Sequence, residues 1–350
     1  MIFSDVIIGL QHGDEGKGKI SYHLMYKNNY DVNIRFNGGP NAGHTVYTND
    51  KSIVPNTKII LHQIPCGILL GKIAIIGSGC VVDYEKLILE IEMLEKHGFK
   101  NIRQLLFVSH NAHIITKKHI ENDNKNNKVG TTGCGIGPCY TDKVSRNGNR
   151  VENYKNEFDK INIQIINIPQ FVCQMYQGEN IHILFEGAQG YMLDIDWGEY
   201  PYVTSSNCLA GSFVNCGIPA CTLRHVYGVL KIYETYIGSK NFQSDDVDLN
   251  RLISIGKEYG NTTGRQRQCN WLNMDTIKHA VNANGVTHLI FNKCDIISEI
   301  NIFKLISNKS IYKFDSIQDM QEFIENDIKN MNKLYSHDIN FTYSSSPYEI

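Results

Sequence analysis

No stretch of this 350-residue sequence approaches the roughly 20 consecutive apolar residues that a bilayer-spanning helix needs. A membrane role is therefore not expected. The first residues, MIFSDVIIGLQHGDEGKGK, lack a basic leader region and a cleavage site, and read as a strand entering a loop. Charge of one sign is also missing: the net charge is −2, so nothing draws the chain as a whole to nucleic acid. Ten cysteines are present without one CxxC pair, and no two lie closer than Cys134 and Cys139. Those spacings supply no zinc ligand set. They imply reduced, mostly buried thiols in a cytosol-like compartment. There is no internal repeat and no linker that would split the chain. One domain over residues 1–350, with long functional loops, is expected.

What is present is a soluble, core-forming composition, 42% apolar and 20% charged. Short β-branched runs alternate with helical periodicity. Strands are expected at Val6–Ile8, Asn33–Phe36, Ile73–Ile76, Leu105–Val108, Ile181–Phe185, Val226–Leu230 and His288–Phe291. A helix is expected near Gly18–Met25. A second starts at Asp83 as N-cap, carries Leu87, Ile88, Ile91 and Leu94 on one face and stops at Gly98. This order predicts an α/β fold, a largely parallel central sheet with flanking helices and long Gly-rich active-site loops. The polar run 117–128 (KKHIENDNKNNK) reads as a mobile surface loop.

Two motifs carry the first chemical signal. Gly13-Asp14-Glu15-Gly16-Lys17-Gly18-Lys19 lies between a strand and a helix, where backbone N–H groups and a helix N-terminus meet an anion. It fits G-x-x-x-x-G-K, but Ile20 follows where a P-loop has Ser or Thr, so the Mg²⁺-binding hydroxyl is missing. Asp14 offers an oxygen ligand instead. Asn292-Lys293-Cys294-Asp295 follows an apolar strand as N-K-x-D. Its Asp can accept from both N1–H and the 2-amino group of guanine, which adenine does not offer together.

Further Gly-rich turns follow. Gly38–Thr45 carries Asn41 and His44. Gly130–Pro138 has four glycines in eight positions and precedes Arg146. Glu186–Gly190 ends a strand, the ligand-facing end in open α/β sheets, and carries Gln189. Thr262–Arg267 offers Arg265 and Arg267 for carboxylate or phosphate.

In this order QHGDEGKGK, NGGPNAGHTV, GTTGCGIGPCYTDKVSR, LFEGAQGYMLDIDWGEYPYVTSSN, TTGRQRQCNWLN and NKCD resemble the motif series of the adenylosuccinate synthetase family, from the N-terminus to about Asp295. Ser344-Ser345-Ser346-Pro347 looks like the family's terminal guanine-binding turn. The resemblance implies a GTP-dependent ligase. Its substrates are a purine nucleoside monophosphate, L-aspartate and GTP, with Mg²⁺ as cofactor. It implies Asp14 as general base and metal ligand, with the Gly43 carbonyl completing the metal site. His44 would be the acid, Lys17 would neutralise phosphate charge, and Gln189 would join them in catalysis. Asn41, Thr132, Gln189, Thr204 and Arg265 would hold the nucleotide, and Arg146 would reach the nucleotide of a neighbouring subunit in a homodimer. Gly13, Glu15, Gly16, Lys17, Gly18, Gly43, Thr45, Arg267, Lys293, Asp295, Ser344 and Ser346 would bind GTP. Thr262, Thr263 and Arg265 would bind aspartate. A cytoplasmic location follows, the host's if the source is viral.

The sequence departs from the family pattern at His12, Cys134, Gln266, Gln268 and Asn273. Thr235-Tyr236-Ile237-Gly238 stands where the family reads TRVG, and GPFPTE is absent; that region lies near the nucleotide ribose in the family. IMP is the expected nucleotide, because phage relatives that act on dGMP typically carry Ser in place of Asp14. The same chemistry on dGMP is the alternative. A regulatory GTP-binding switch is a third reading, opposed by Ile20 and by the extra Gly loops.

Overall fold

The computed structural model describes residues 1–48, 57–125, 130–260, 264–331 and 338–348. Its centre is a nine-stranded sheet in which every pairing is parallel. In spatial order the strands are Asn340–Tyr343, His288–Asn292, Leu223–Lys231, β1 (Ile2–Gly9), Ile181–Glu186, β2 (Val32–Arg35), Ile73–Ile76, Leu106–Ser109 and Gln164–Ile166. A parallel sheet covered on both faces needs apolar side chains on both, which is why its strands read as continuous runs. β1 is buried from Ser4 to Gly9. The expected α/β class and parallel sheet are thus observed, and each expected strand is present within a few residues.

Helix α1 (Lys17–Lys27) packs Ile20, Leu24 and Met25 against Ile7, Leu184, Val229 and Ile290, one residue from each of four adjacent strands. That contact holds the turn between β1 and α1 over the middle of the sheet's C-terminal edge. After β1 the chain moves to one side of the sheet. After Ile181–Glu186 it moves to the other, and such a switch point opens a crevice at the C-terminal edge. β3 (His44–Tyr47) pairs with Lys58–Leu61 beside this edge. A smaller four-stranded sheet, Tyr233–Tyr236, Gln268–Asn273, Phe303–Ser307 and Ser310–Phe314, flanks it.

Helix α2 (Tyr84–Lys96) begins as expected: the Asp83 carboxylate accepts from the Lys86 N–H at 3.1 Å. Leu87, Ile91 and Leu94 are fully buried. One expectation is corrected. Lys117–Lys125 is a helix, not a loop; residues 126–128 lie outside the described residues. Its buried face is polar, His119 and Asp123 one turn apart, so composition concealed it. Asp123 accepts from Thr131 Oγ1 at 3.0 Å and Gly135 N–H at 2.8 Å, and His119 Nε2 meets Asp142 Oδ2 at 3.0 Å. The helix therefore braces the Gly-rich loop after it. All ten cysteines are free of disulfides and seven are buried, as expected of mostly buried thiols. No helix among the described residues is long and apolar enough to cross a membrane.

Candidate active site

Polar side chains stand at the C-terminal ends of the two strands on either side of β1: Arg35 on β2 and Glu186 on one side, Lys231 and Asn292 on the other. Into this row project the loops singled out in the sequence.

The candidate phosphate loop, residues 13–19, is braced from within. Glu15 is buried, and its Oε1 accepts from Gln11 N–H at 3.2 Å and Gly13 N–H at 2.8 Å; its Oε2 meets Lys17 Nζ at 2.5 Å. The Glu15 side chain thus shapes the loop, while Lys17 sits at the start of α1. Gly13 and Gly16 have φ of 86° and 96°, left-handed values that favour glycine. Gly18 is required for space: a Cβ there would lie 2.6 Å from the His44 Cβ. The phosphate loop and His44 are therefore in direct backbone-to-side-chain contact.

His44 Nδ1 lies 2.5 Å from Glu186 Oε1, and Arg35 reaches the same oxygen at 3.3 Å. Glu186 Oε2 also accepts from Ser21 Oγ at 2.6 Å and Cys66 N–H at 3.0 Å. Burial, helped by Arg35, lowers His44 to about 4 against the pull of Glu186. Burial alone would raise Glu186, but His44 and Arg35 bring it down to about 2. A neutral imidazole beside a carboxylate donates Nδ1–H to it, which fixes the tautomer.

Asp14 lies in the loop at φ 60° with a side chain 35% exposed, and its Oδ2 accepts from Arg267 Nε at 2.9 Å. Gln189 has φ 56°, and Gly38 packs against it, since a Cβ there would lie 2.9 Å from Gln189 Oε1. Gln189 Oε1 and Asn41 Oδ1 are buried without a hydrogen-bond partner among the described residues, a state that costs about 1–3 kcal/mol each unless a ligand donates to them. Asp14, Arg146, Gln189 and Lys293 are all non-glycine residues at positive φ, a strain that gathers at functional sites.

The two remaining Gly loops meet: Arg265 NH2 donates to the Thr131 carbonyl at 3.1 Å, beside exposed Thr132. Thr204 is half-buried and its N–H donates to Leu193 O at 2.8 Å. Gly43 and Thr45 flank His44. Arg146 stands apart, exposed past the end of helix Ile136–Val144, and its guanidinium has no partner among the described residues. Thr262 and Thr263 lie outside the described residues.

At the other end of the edge, Asn292 Nδ2 donates to Glu15 O at 2.7 Å, tying the N-K-x-D segment to the phosphate loop. Lys293 Nζ donates to Gly256 O at 3.1 Å. Cys294 N–H donates to Ser344 O at 3.2 Å, which brings the C-terminal turn beside Asp295. Lys19 Nζ donates to Ser344 Oγ at 2.7 Å and Ser346 O at 2.9 Å; burial lowers it to about 8, although Asp295 opposes the shift. Lys19, Glu186 and Arg35 were not singled out as site residues in the sequence. The available signal was charge at the end of an apolar strand or inside a glycine-rich turn.

The described family model, adenylosuccinate synthetase, matches residues 6–161 and 151–338. The chain belongs to the adenylosuccinate synthetase family. It is 37% identical over 345 residues to adenylosuccinate synthetase of Phocaeicola vulgatus, an alignment covering 86% of this chain and 79% of that one. With the enzyme of Thermodesulfovibrio yellowstonii it shares 39% over 348 residues, with the same coverage. The fully ligated adenylosuccinate synthetase of Plasmodium falciparum superposes with a TM-score of 0.82 at 28% identity, covering 98% of this chain and 97% of the other. The cyanophage S-2L succinoaminodeoxyadenylate synthetase, solved with dGMP and dATP, shares the fold at a TM-score of 0.74 and 18% identity, covering 99% and 93%. The family is one of GTP-dependent ligases, and this member is an enzyme of that type.

Proposed function

We propose that the chain joins L-aspartate to C6 of IMP, consuming GTP and releasing GDP and phosphate. The observation that carries this reading is the contact between Gly18 of the phosphate loop and His44, with Asp14 in the same loop. It supports a reading in which the loop's backbone N–H groups, the Asp14 carboxylate and the His44 imidazole act on one substrate. A purine 6-oxygen is a poor leaving group, and phosphorylating it creates a good one for the aspartate amine to displace. Phosphoryl transfer needs positioning and charge neutralisation more than covalent help.

In this reading Asp14 takes the N1 proton as the 6-oxygen attacks the γ-phosphate. Lys17 faces the phosphate charge. His44, oriented by Glu186, sits against the transferring group, and an anion there together with Glu186 favours the imidazolium form that donates. Asn41 and Gln189 use their unpartnered oxygens on donors of the nucleotide, with Thr132 and Thr204 nearby. Arg265, with Thr262 and Thr263, holds aspartate. Arg267 and the backbone of Gly13, Glu15, Gly16, Gly18 and Thr45 contact GTP. Its guanine is read by Asp295, with Lys293, Ser344 and Ser346 around it. The exposed Arg146 completes a neighbour's site in a homodimer. A cytoplasmic setting, a host's if viral, is supported by ten cysteines without a disulfide.

Mg²⁺ takes oxygen ligands and keeps several from phosphate or water, so the Asp14 carboxylate and the Gly43 carbonyl suit it. When bound, it would neutralise charge on the nucleotide phosphates. The His44, Cys66 and Glu186 cluster does not suit it: a thiol and an imidazole are poor Mg²⁺ ligands, and Arg35 already occupies the carboxylate.

Phosphate release with GTP and aspartate, measured with IMP, dIMP, GMP and dGMP, tests the reading. Aspartate-dependent release, fastest with IMP, is expected. Release without aspartate sinks the ligase assignment. Faster turnover of dGMP than IMP replaces the nucleotide. Asp14→Ser should move the preference toward dGMP by roughly 10–200-fold, the range one misplaced group usually yields.

A further inference from the structure

Behind Asp14 and Arg267 lies a buried ionic chain whose Glu258, Lys231 and Tyr233 the chemistry above does not use. Arg267 gives its Nε to Asp14 and its NH1 to Glu258 Oε2 at 2.7 Å. Glu258 is fully buried and is held from behind by Lys231 Nζ at 2.9 Å and Tyr233 OH at 2.5 Å. Lys231 in turn donates to Thr235 Oγ1 at 3.0 Å. Lys231 ends the strand beside β1, and the Gln11 side chain bonds both its N–H and its carbonyl, so the chain has a rigid base. The backbone repeats the link: Arg267 N–H donates to Glu258 O at 2.9 Å, and Gly260 N–H to Arg265 O at 2.7 Å. Glu258–Gly260 and Arg265–Arg267 thus form the stem of the loop that carries Arg265.

We propose that Glu258 is a positioning residue: by sharing the Arg267 guanidinium with Asp14, it sets how tightly Asp14 is held and couples the stem of the Arg265 loop to the phosphate loop. The inference rests on reading Asp14 as the reacting carboxylate. Asp14 needs both oxygens, one for the purine N1 and one for the cation, yet Oδ2 is committed to Arg267. A guanidinium shared between two carboxylates grips each less than it would grip one alone. Glu258 moderates that grip, and Lys231 with Tyr233 keeps Glu258 from swinging toward Asp14.

The test is steady-state phosphate release by Glu258→Gln, by the paired Lys231→Met/Glu258→Gln, which removes both buried charges together, and by each on an Arg267→Gln background. Wild-type enzyme with and without aspartate is the control, and its failure would strike the parent reading rather than this one. The expected result is a kcat lowered roughly 10-fold in both variants, with KM for GTP changed less than about twofold. On the Arg267→Gln background the same changes should add no further loss. An unchanged kcat in a folded variant overturns the inference. So do losses that multiply on the Arg267→Gln background. Failure of both variants to fold assigns the cluster to structure alone, which also overturns it.

Discussion

Glu186→Gln is the substitution whose consequences can be followed furthest. The carboxylate accepts on both oxygens: Oε1 from His44 and Arg35, Oε2 from Ser21 and the Cys66 N–H. Glutamine has the same shape but one oxygen and one NH₂. With the NH₂ at the Oε2 position, the Ser21 hydroxyl can rotate to accept, but the Cys66 N–H faces a donor. With the NH₂ at the Oε1 position, His44 Nδ1 faces a donor and must accept, so the imidazolium form used in the proposed chemistry loses its support. In either case Arg35, 2% exposed with Nε and NH1 already unpartnered, loses the one carboxylate paired with it among the described residues. Stranding one member of a buried pair costs about 3–5 kcal/mol. At about 2.1 cal/mol/K of unfolding entropy per residue, 350 residues give roughly 1.4 °C per kcal/mol, so the melting temperature should fall by roughly 4–7 °C. Turnover should fall on the order of 10²-fold as His44 loses its orientation. Circular-dichroism melts and phosphate-release kinetics measure both. Arg35→Met/Glu186→Gln should regain much of the stability but not the turnover, since the stranded charge goes and the orientation does not return. A melting temperature within about 1 °C of wild type for the single variant, or a double variant less stable than the single, would refute the reasoning.

Three other outcomes follow from the same geometry. Asp14→Asn should fold normally, because an amide oxygen can still accept from Arg267, yet lose about 10²–10⁴-fold in kcat; near-wild-type turnover would exclude Asp14 as the base. Asp295→Asn should narrow the preference for GTP over xanthosine triphosphate, whose base carries a carbonyl where guanine has its amine; unchanged kinetics with both nucleotides would mean Asp295 does not read the base. Acid should destabilise the fold in two stages. His44 is lowered from 6.5 to about 4 and Glu186 from 4.5 to about 2, so in each window the unfolded chain binds more protons than the folded one. The stability these groups contribute is present above pH 6.5 and falls as pH drops through that value toward about 4, then further toward about 2. Urea unfolding at several pH values should show a steeper loss between pH 6.5 and about 4 for wild type than for His44→Gln, and equal slopes would contradict the assignment.

Much of the architecture could be read from local pattern. The buried faces of a parallel sheet demand apolar runs, and those runs marked the strands Ile73–Ile76, Ile181–Glu186 and His288–Asn292 within a residue or so. The Asp83 cap and the stripe of Leu87, Ile91 and Leu94 located α2 for the same reason: capping and amphipathicity act within one or two turns of chain. The phosphate loop was legible because its glycines answer a local need, positive φ at Gly13 and Gly16 and clearance at Gly18.

Tertiary structure decided what no local rule reaches. Lys117–Lys125 is helical because Asp123 and His119 find partners in the next loop and in Asp142, which composition cannot reveal. Glu186 could be seen as a charge at a strand end, but its burial among His44, Arg35, Ser21 and Cys66 depends on β2, β3 and α1 arriving together. Lys19 meets the turn after the N-K-x-D strand's neighbour only because the strand Asn340–Tyr343 adds to the sheet edge and delivers Ser344. Glu258 and Arg267 are nine positions apart, yet their link to Asp14 crosses 253. Sequence determined the residue types and the elements that carry them, since those depend on neighbours along the chain. Which charges share a buried site depended on strand order and register, which bring distant strand ends to one edge.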